Sequence, residues 1–310
     1  MRILIIGLGS IASKHISAIK RIDRYAEIYA YRNSTQSPSN PEVTDIFTLE
    51  SLDIYFDFII ISNPTILHAK AINSALKFNC PLIIEKPVLG NLEEVALLQK
   101  KIDEKNVKTY VACNLRFHPL IIFLKEYLNK KVLVINEINV YCGSHLPKWR
   151  PGQEYKKSYS AQAMMGGGVH LDLIHELDYC IWLFGVPIET RVLKRNVSSL
   201  EINSIDSATY HFLYKNFTLN IQLNYFRIDT KRQIEILTDS DTLVGDLIAN
   251  TFTSLTKNEI LYDAEFNMSD TYYDQMKYFI KHKNDGMSLM NDFSEGVSTL
   301  KIALNEHFKG

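Results

Sequence analysis

Two glycines and an alanine near the start of the chain carry the first chemical signal. Gly7-x-Gly9-x-x-Ala12 follows the apolar run Ile3–Ile6 and opens a helical stretch that reaches about Arg24. In such a turn the first glycine permits a tight bend and the second lets the backbone close on a pyrophosphate. The pyrophosphate then rests on the N–H groups of Ser10, Ile11 and Ala12 at the helix start. The third position accepts alanine because it needs only close helix–strand packing. A turn that serves packing alone is the structural alternative. The end of the next strand tests the choice of dinucleotide. An acid there accepts the ribose 2′-OH of NAD, whereas an arginine pairs with the 2′-phosphate of NADP. The chain reads Tyr31-Arg32-Asn33-Ser34, with no acid. Arg32, Asn33 and Ser34 therefore point to NADP, with NAD left open. The plainer reading of Arg32 is a solvated loop side chain.

These residues need a scaffold, and the apolar pattern supplies one. Short buried runs at Ile3–Ile6, Phe58–Ile61, Leu82–Ile84 and Thr109–Cys113, with a further strand at Glu27–Tyr31, alternate with helical stretches. One helix is expected from about Ile66 to Phe78. Another opens at Asn91, an N-cap with Glu93 and Glu94 in the first turn. This alternation predicts an α/β fold with a doubly wound parallel sheet. It stops near residue 120. After a helix at Ile121–Asn129, strands are expected at Val132–Tyr141, Thr190–Lys194, Ala208–Leu213, Thr218–Tyr225, Gln233–Leu237 and Thr242–Leu247. One helix interrupts them at Val169–Phe184. That is an α+β domain with a large, mostly antiparallel sheet. The expected domains are 1–119 and 120–310. Helices at Thr271–His282 and Asp292–His307 are free to pack back on either one.

Composition narrows the function classes. Of 310 residues, 46% are hydrophobic and 22% charged, which is ordinary for a globular chain. A formal net charge of -1 lacks the basic excess of a general nucleic-acid or membrane-surface binder. Cys80, Cys113, Cys142 and Cys180 form no CxxC pair, so neither a zinc knuckle nor a redox dithiol is supported. The N-terminal apolar run is too short for a secretion signal. No stretch reaches the roughly 18 apolar residues of a membrane span. The expected location is cytoplasmic.

Several segments together make the chain resemble the glucose–fructose oxidoreductase / inositol dehydrogenase / MocA (Gfo/Idh/MocA) family. They are Gly7-Leu8-Gly9-Ser10-Ile11-Ala12-Ser13-Lys14-His15, Asn63-Pro64-Thr65-x-x-His68, Glu85-Lys86-Pro87, Asn114–Pro119, Trp149-Arg150-Pro151-Gly152, and Gly166–Tyr179. They run in the family's order over about residues 1 to 185. Beyond that point the likeness is architectural. The resemblance implies an NAD(P)-binding Rossmann domain followed by a domain for substrate binding and oligomerisation. It also implies reversible hydride transfer between nicotinamide and a sugar, cyclitol or nucleotide-sugar hydroxyl. Asn63, Pro64, His68, Glu85 and Lys86 would border the cofactor. Asn114, Arg116, Trp149, Arg150, Tyr159, Asp172 and His175 would border the substrate. A homodimer or homotetramer through the C-terminal sheet is implied as well.

Chemistry can be set beside those implications. Lys86 ends a buried strand, where ligands of open α/β sheets gather, and a lysine there can relay a proton. Its structural alternative is a turn lysine at the surface. Asp172 and His175, three residues apart, are expected on one helical face with Tyr179 a turn further. His175 is the candidate acid/base, with Asp172 orienting it or binding a hydroxyl. Many family members place three residues between this Asp and His, and this chain places two. The spacing of His170, Asp172 and His175 also suits a metal, but it lacks a distinct fourth ligand, and no metal is expected. His170 is read as a packing or hydrogen-bonding residue. His118 divides between hydrogen bonding and substrate contact, and His15 is read as structural or beside the pyrophosphate. Lys148, Arg150, Lys156 and Lys157 form a basic loop that would suit an anionic substrate such as a nucleotide sugar or sugar acid, or would be simply solvated. A function of another class stays open: a dinucleotide-sensing regulator or scaffold without turnover.

Overall fold

The computed structural model describes residues 1–32, 40–49, 52–286 and 288–304. Six parallel strands come first: β1 (Arg2–Ile6), β2 (Glu27–Tyr31), β3 (Thr44–Ile46), β4 (Phe58–Ile61), β5 (Leu82–Glu85) and β6 (Thr109–Ala112). Helices α1 (Ser10–Ile22), α2 (His68–Ala75) and α3 (Val95–Glu104) lie between them in sequence. The sheet order is β3-β2-β1-β4-β5-β6. The chain works outward from β1 and then returns to its other side at β4. The carboxyl ends of β1 and β4 therefore mark a topological switch point, where ligands of such sheets collect. Every residue of β4, β5 and β6 is buried, as expected for strands covered on both faces. β3 was not foreseen, because three residues carry too short a pattern. Asn91 accepts from the N–H of Glu93 in a turn, so α3 starts at Val95, later than expected.

Helix α4 (Pro119–Lys130) precedes the second sheet. Its strands are β7 (Ile135–Gly143), β8 (Glu189–Arg195), β9 (Ser207–Leu213), β10 (Thr218–Asn224), β11 (Lys231–Thr238), β12 (Thr242–Asp246), β13 (Thr251–Ser254) and β14 (Glu259–Asp263). They run β14-β13-β12-β11-β7-β10-β9-β8, and only the β7–β10 pair is parallel among them. Strict alternation buries Ile138, Val140, Tyr210, Phe212, Leu219, Ile221, Ile234 and Ile236 on one face. The single helix expected over 169–184 is two, α5 (Val169–Asp172) and α6 (His175–Phe184). Leu173, at φ -99 and ψ 30, leaves the helical region and separates them.

The chain closes with α7 (Met268–His282) and α8 (Phe293–Leu304). Two compact units result. The first holds Met1–Asn114 with Met268–Ser298, and the second holds Leu115–Asn267 with the chain from Thr299. Strand–helix alternation had drawn the boundary at 119/120. In the first unit α7 lies against α1, with Arg21 paired to Asp270 at 2.9 Å and its guanidinium over the Tyr273 ring. Among the described residues no helix is long and apolar enough to cross a membrane.

Candidate active site

The glycine turn has the geometry its sequence called for. Gly7 sits at φ +97, and a Cβ there would fall 2.5 Å from the Asn63 backbone. Only glycine meets both conditions. The turn is held from both sides, since Gly7 N donates to Tyr31 O at 3.4 Å and Ser62 Oγ donates to Gly7 O at 2.7 Å. A Cβ on Gly9 would meet nothing within 4 Å. Behind this open space α1 begins with no side-chain cap and no acid in its first turn. A 13-residue helix that presents bare N–H groups and the positive end of its dipole suits a phosphate anion. Ser10 is exposed at that start, Ile11 half-buried, and Ala12 packs inward. Asn63 adds a buried side-chain oxygen with no hydrogen-bond partner. The residues present fit a dinucleotide.

Lys86 is half-buried after β5, ahead of a cis Lys86–Pro87 peptide. Glu85 fixes the turn beneath it. One carboxylate oxygen pairs with His15 Nε2 at 2.6 Å, and the other accepts from the Lys86 N–H at 3.2 Å. His15 is fully buried, so it ties the helix after the glycine turn to the lysine turn. His68 does related work. Its Nδ1 lies 3.2 Å from Val88 O and its Nε2 3.0 Å from Asn63 O. Burial holds this imidazole below its ordinary pKa. Both nitrogens face backbone carbonyls, and the ring braces the Asn63 and Pro87 loops against each other. Pro64 is exposed and starts the turn before α2.

At the end of β2, Arg32 is buried and its guanidinium meets Asp45 Oδ2 of β3 at 2.7 Å. A solvated arginine is ruled out, and so is one whose charge is wholly available to a phosphate. Asn33 and Ser34 lie outside the described residues.

The second unit carries Asp172 at the end of α5 and His175 at the start of α6, both half-buried. The break between the helices corrects the expectation of one continuous helical face. Tyr179 is fully buried, and its hydroxyl finds no partner. Asp172 Oδ2 instead accepts from Tyr225 at 2.5 Å. Burial, and the charge of Asp172 after it, push the Tyr225 phenol well above its usual pKa, so it stays a donor. Tyr225 was not foreseen, since it lies 53 residues downstream of Asp172. The edge of Trp149 meets the Tyr225 ring at 5.2 Å, and its indole N–H donates to Ser144 Oγ at 2.8 Å. Tyr159 donates to Gly166 O at 2.8 Å and so holds the glycine turn before α5. His170 is buried and pushed down to about 4, first by burial and then by the nearby Lys194 charge. It packs as a neutral ring. Among the described residues no group of three or more His, Cys, Asp or Glu is placed to hold a metal ion.

Two sites expected to touch substrate are tied into the fold by side-chain partners. Asn114 is buried and donates to Thr271 Oγ1 at 2.7 Å. Arg116 forms a two-point bridge to Asp178, Nε to Oδ2 at 2.9 Å and a terminal nitrogen to Oδ1 at 2.8 Å. Both partners are almost fully buried, so the pair anchors α6. In the basic loop, Lys156 pairs with Glu201 and Lys157 with Glu154, while Lys148 donates to Ile228 O. Arg150 is exposed.

Comparison with known proteins agrees with this architecture. Residues 1–113 match the oxidoreductase-family domain described as an NAD-binding Rossmann fold, and residues 130–304 match that family's C-terminal alpha/beta domain. The chain is 26% identical over 249 residues to the uncharacterized oxidoreductase YrbE of Bacillus subtilis, a match covering 74% of this chain and 66% of that protein. It is 23% identical over 308 residues to myo-inositol 2-dehydrogenase of Thermotoga maritima, covering 92% and 89%. Among solved structures, UDP-N-acetylglucosamine 3-dehydrogenase from Acidithiobacillus ferrooxidans superposes with a TM-score of 0.77 at 19% identity, over 98% of this chain and 96% of that one. At that identity the likeness is one of fold. With both of the family's domains matched in order across most of its length, the chain belongs to the Gfo/Idh/MocA oxidoreductase family.

Proposed function

We propose that this chain moves a hydride between a nicotinamide dinucleotide and a CH–OH carbon of a sugar, cyclitol or nucleotide sugar. The observation that carries the reading is the bare, acid-free start of α1 behind Gly7 and Gly9, in the same unit as β5, which Lys86 directly follows. The nicotinamide, when bound, supplies or accepts the hydride. The N–H groups of Ser10, Ile11 and Ala12 hold the pyrophosphate. Asn63, Pro64 and Glu85 shape the borders of the site. Lys86 moves the proton of the reacting hydroxyl, which is worth roughly a hundredfold to ten-thousandfold in rate. Asp172, steadied by Tyr225, accepts from a sugar hydroxyl, and His175 shares the proton work. The lean toward NADP rested on the charge of Arg32, and with Asp45 against the guanidinium that argument loses its force.

The name of one relative, an inositol dehydrogenase, supports this substrate class, and a neighbour in fold carries the name of a UDP-sugar dehydrogenase. Trp149 and Tyr159 border the Asp172 cluster and would contact the sugar. Arg150, exposed and without an ion pair among the described residues, favours a substrate with an anionic group. We also propose self-association as a homodimer or homotetramer through the polar face of the eight-stranded sheet.

The test is turnover. Inositols, neutral sugars, sugar acids and UDP-sugars are offered with each dinucleotide, and nicotinamide absorbance is followed. Wild type is expected to turn over at least one of them. Lys86→Ala should lower kcat by roughly a hundredfold or more, a loss larger than any change in dinucleotide affinity. A wild type that binds a dinucleotide and turns over nothing would favour the sensor reading instead.

A further inference from the structure

We infer that Asp45, carried to the end of β2 by the short strand β3, reads the adenosine ribose and sets a preference for NADH over NADPH. The inference rests on the reading of the first unit as a dinucleotide site. Three observations converge. The carboxyl end of β2 lies against the glycine turn, because Gly7 N donates to Tyr31 O. The register of β2 and β3 sets Ala30 opposite Asp45, and Arg32 N donates to Ile46 O. Arg32 and Ala30 share one face of the strand, so the Asp45 carboxylate meets the Arg32 guanidinium there at 2.7 Å. An acid thus stands at the place where NAD sites keep one, supplied by the neighbouring strand. The contiguous run Tyr31–Ser34 contains no acid, and for that reason the sequence pointed the other way.

The chemistry of the two carboxylate oxygens decides between the cofactors. Oδ2 is taken by Arg32. Oδ1 is buried and has no hydrogen-bond partner among the described residues. A buried carboxylate oxygen calls for a donor, and a ribose 2′-OH is one. A 2′-phosphate brings only acceptors and negative charge. It would stand against the Asp45 carboxylate and compete with it for Arg32. The salt bridge fixes the orientation of Asp45 and offsets the Arg32 charge that would have welcomed the phosphate.

The experiment is a pair of titrations, NADH and NADPH, followed by nicotinamide fluorescence, with thermal melts to show that each variant is folded. Wild type is expected to bind NADH roughly tenfold or more tightly than NADPH, the worth of one hydrogen bond to a charged group. Asp45→Asn should bring the ratio to about one or invert it, chiefly by gaining NADPH. Asp45→Glu, which keeps the charge, should retain the preference and serves if the asparagine variant does not fold. A wild type that prefers NADPH and loses that preference in Arg32→Ala overturns the inference and leaves the dinucleotide reading standing. So does a ratio unmoved by Asp45→Asn. Binding of neither cofactor would remove the inference together with the reading beneath it.

Discussion

At the scale of single residues, several groups of the candidate site are held by partners distant in sequence. Tyr225 and Asp172 are the clearest case. The phenol is a permanent donor, and at 2.5 Å it fixes one oxygen of a carboxylate proposed to receive a sugar hydroxyl. Tyr225 is a positioning residue, so its loss should act through Asp172. Tyr225→Phe keeps the ring against Trp149 and removes only the hydroxyl. Its kcat/KM is expected to fall roughly tenfold to a hundredfold, the worth of a hydrogen bond to a charged group. Most of the loss should lie in KM if Asp172 binds substrate and in kcat if it orients His175, with dinucleotide affinity unchanged. A purely structural role would lower the melting temperature and leave kcat/KM intact. Lys86, Asp172 and His175 were legible because short motifs carry them. Tyr225 and Asp45 were not, since packing of α5 near the end of β10 brings the first to Asp172 and β2–β3 pairing brings the second to Arg32, and no local spacing encodes either.

At the scale of elements, buried polar side chains fix where helices begin and how they are held. His118 caps α4. Its Nδ1 accepts from Leu120 N at 3.3 Å, and its Nε2 donates to Leu247 O at 3.0 Å. That pattern needs the neutral ring. Burial, with the Arg232 charge after it, pushes the imidazole down to about 4. The unfolded chain takes up this proton at about 6.5. Stability from His118 is therefore complete above pH ~6.5 and falls as pH drops toward 4, with no further loss below. His170 is shifted the same way and adds to the slope. Denaturant melts of His118→Asn, which keeps a capping side chain, should show a shallower loss between about pH 7 and about pH 4.5 than wild type. An unchanged slope would mean that His118 titrates alike in both states. The Arg116–Asp178 bridge makes a larger claim on stability. With both partners buried, Asp178→Ala leaves an uncompensated guanidinium and should cost about 3–5 kcal/mol, whereas an apolar replacement of both should cost far less. The α5/α6 break escaped the sequence because Leu173 and Ile174 continue the apolar pattern straight through it. The strands β13 and β14 escaped because Thr251–Ser254 is short and polar and Glu259–Asp263 is nowhere fully buried. The parallel sheet was readable because burial on both faces leaves unbroken apolar runs.

At the scale of the whole molecule, the second unit's sheet has two unlike faces. One is made of the fully buried Ile138, Val140, Tyr210, Phe212, Leu219, Ile221, Ile234 and Ile236. On the other, Glu137, Asn139, His211, Asn220, Gln233 and Glu235 are half-buried, while Thr209 and Gln222 are exposed. These polar side chains form a row across four strands. His211 Nδ1 meets Asn220 Oδ1, Asn220 donates to Asn139 at 3.0 Å, and Asn139 donates to Glu137 at 2.8 Å and Glu235 at 3.3 Å. An antiparallel sheet can face water on one side, so the row alone does not require a partner. It does present a broad, pre-ordered surface, since side chains already tied to one another lose little freedom when a second copy docks. A closed pair related by two-fold symmetry would bring that row against itself. Thr209 and Gln222 are directly opposed across β9 and β10 on this face, next to the row. Arginine at both positions would set like charges against like across such an axis. Sedimentation velocity at micromolar concentration should give a dimer or tetramer for wild type and a monomer for the double variant, with far-UV circular dichroism and dinucleotide binding unchanged. A monomeric wild type would remove the sheet-face assembly, and an assembly that survives both arginines would move it to another surface.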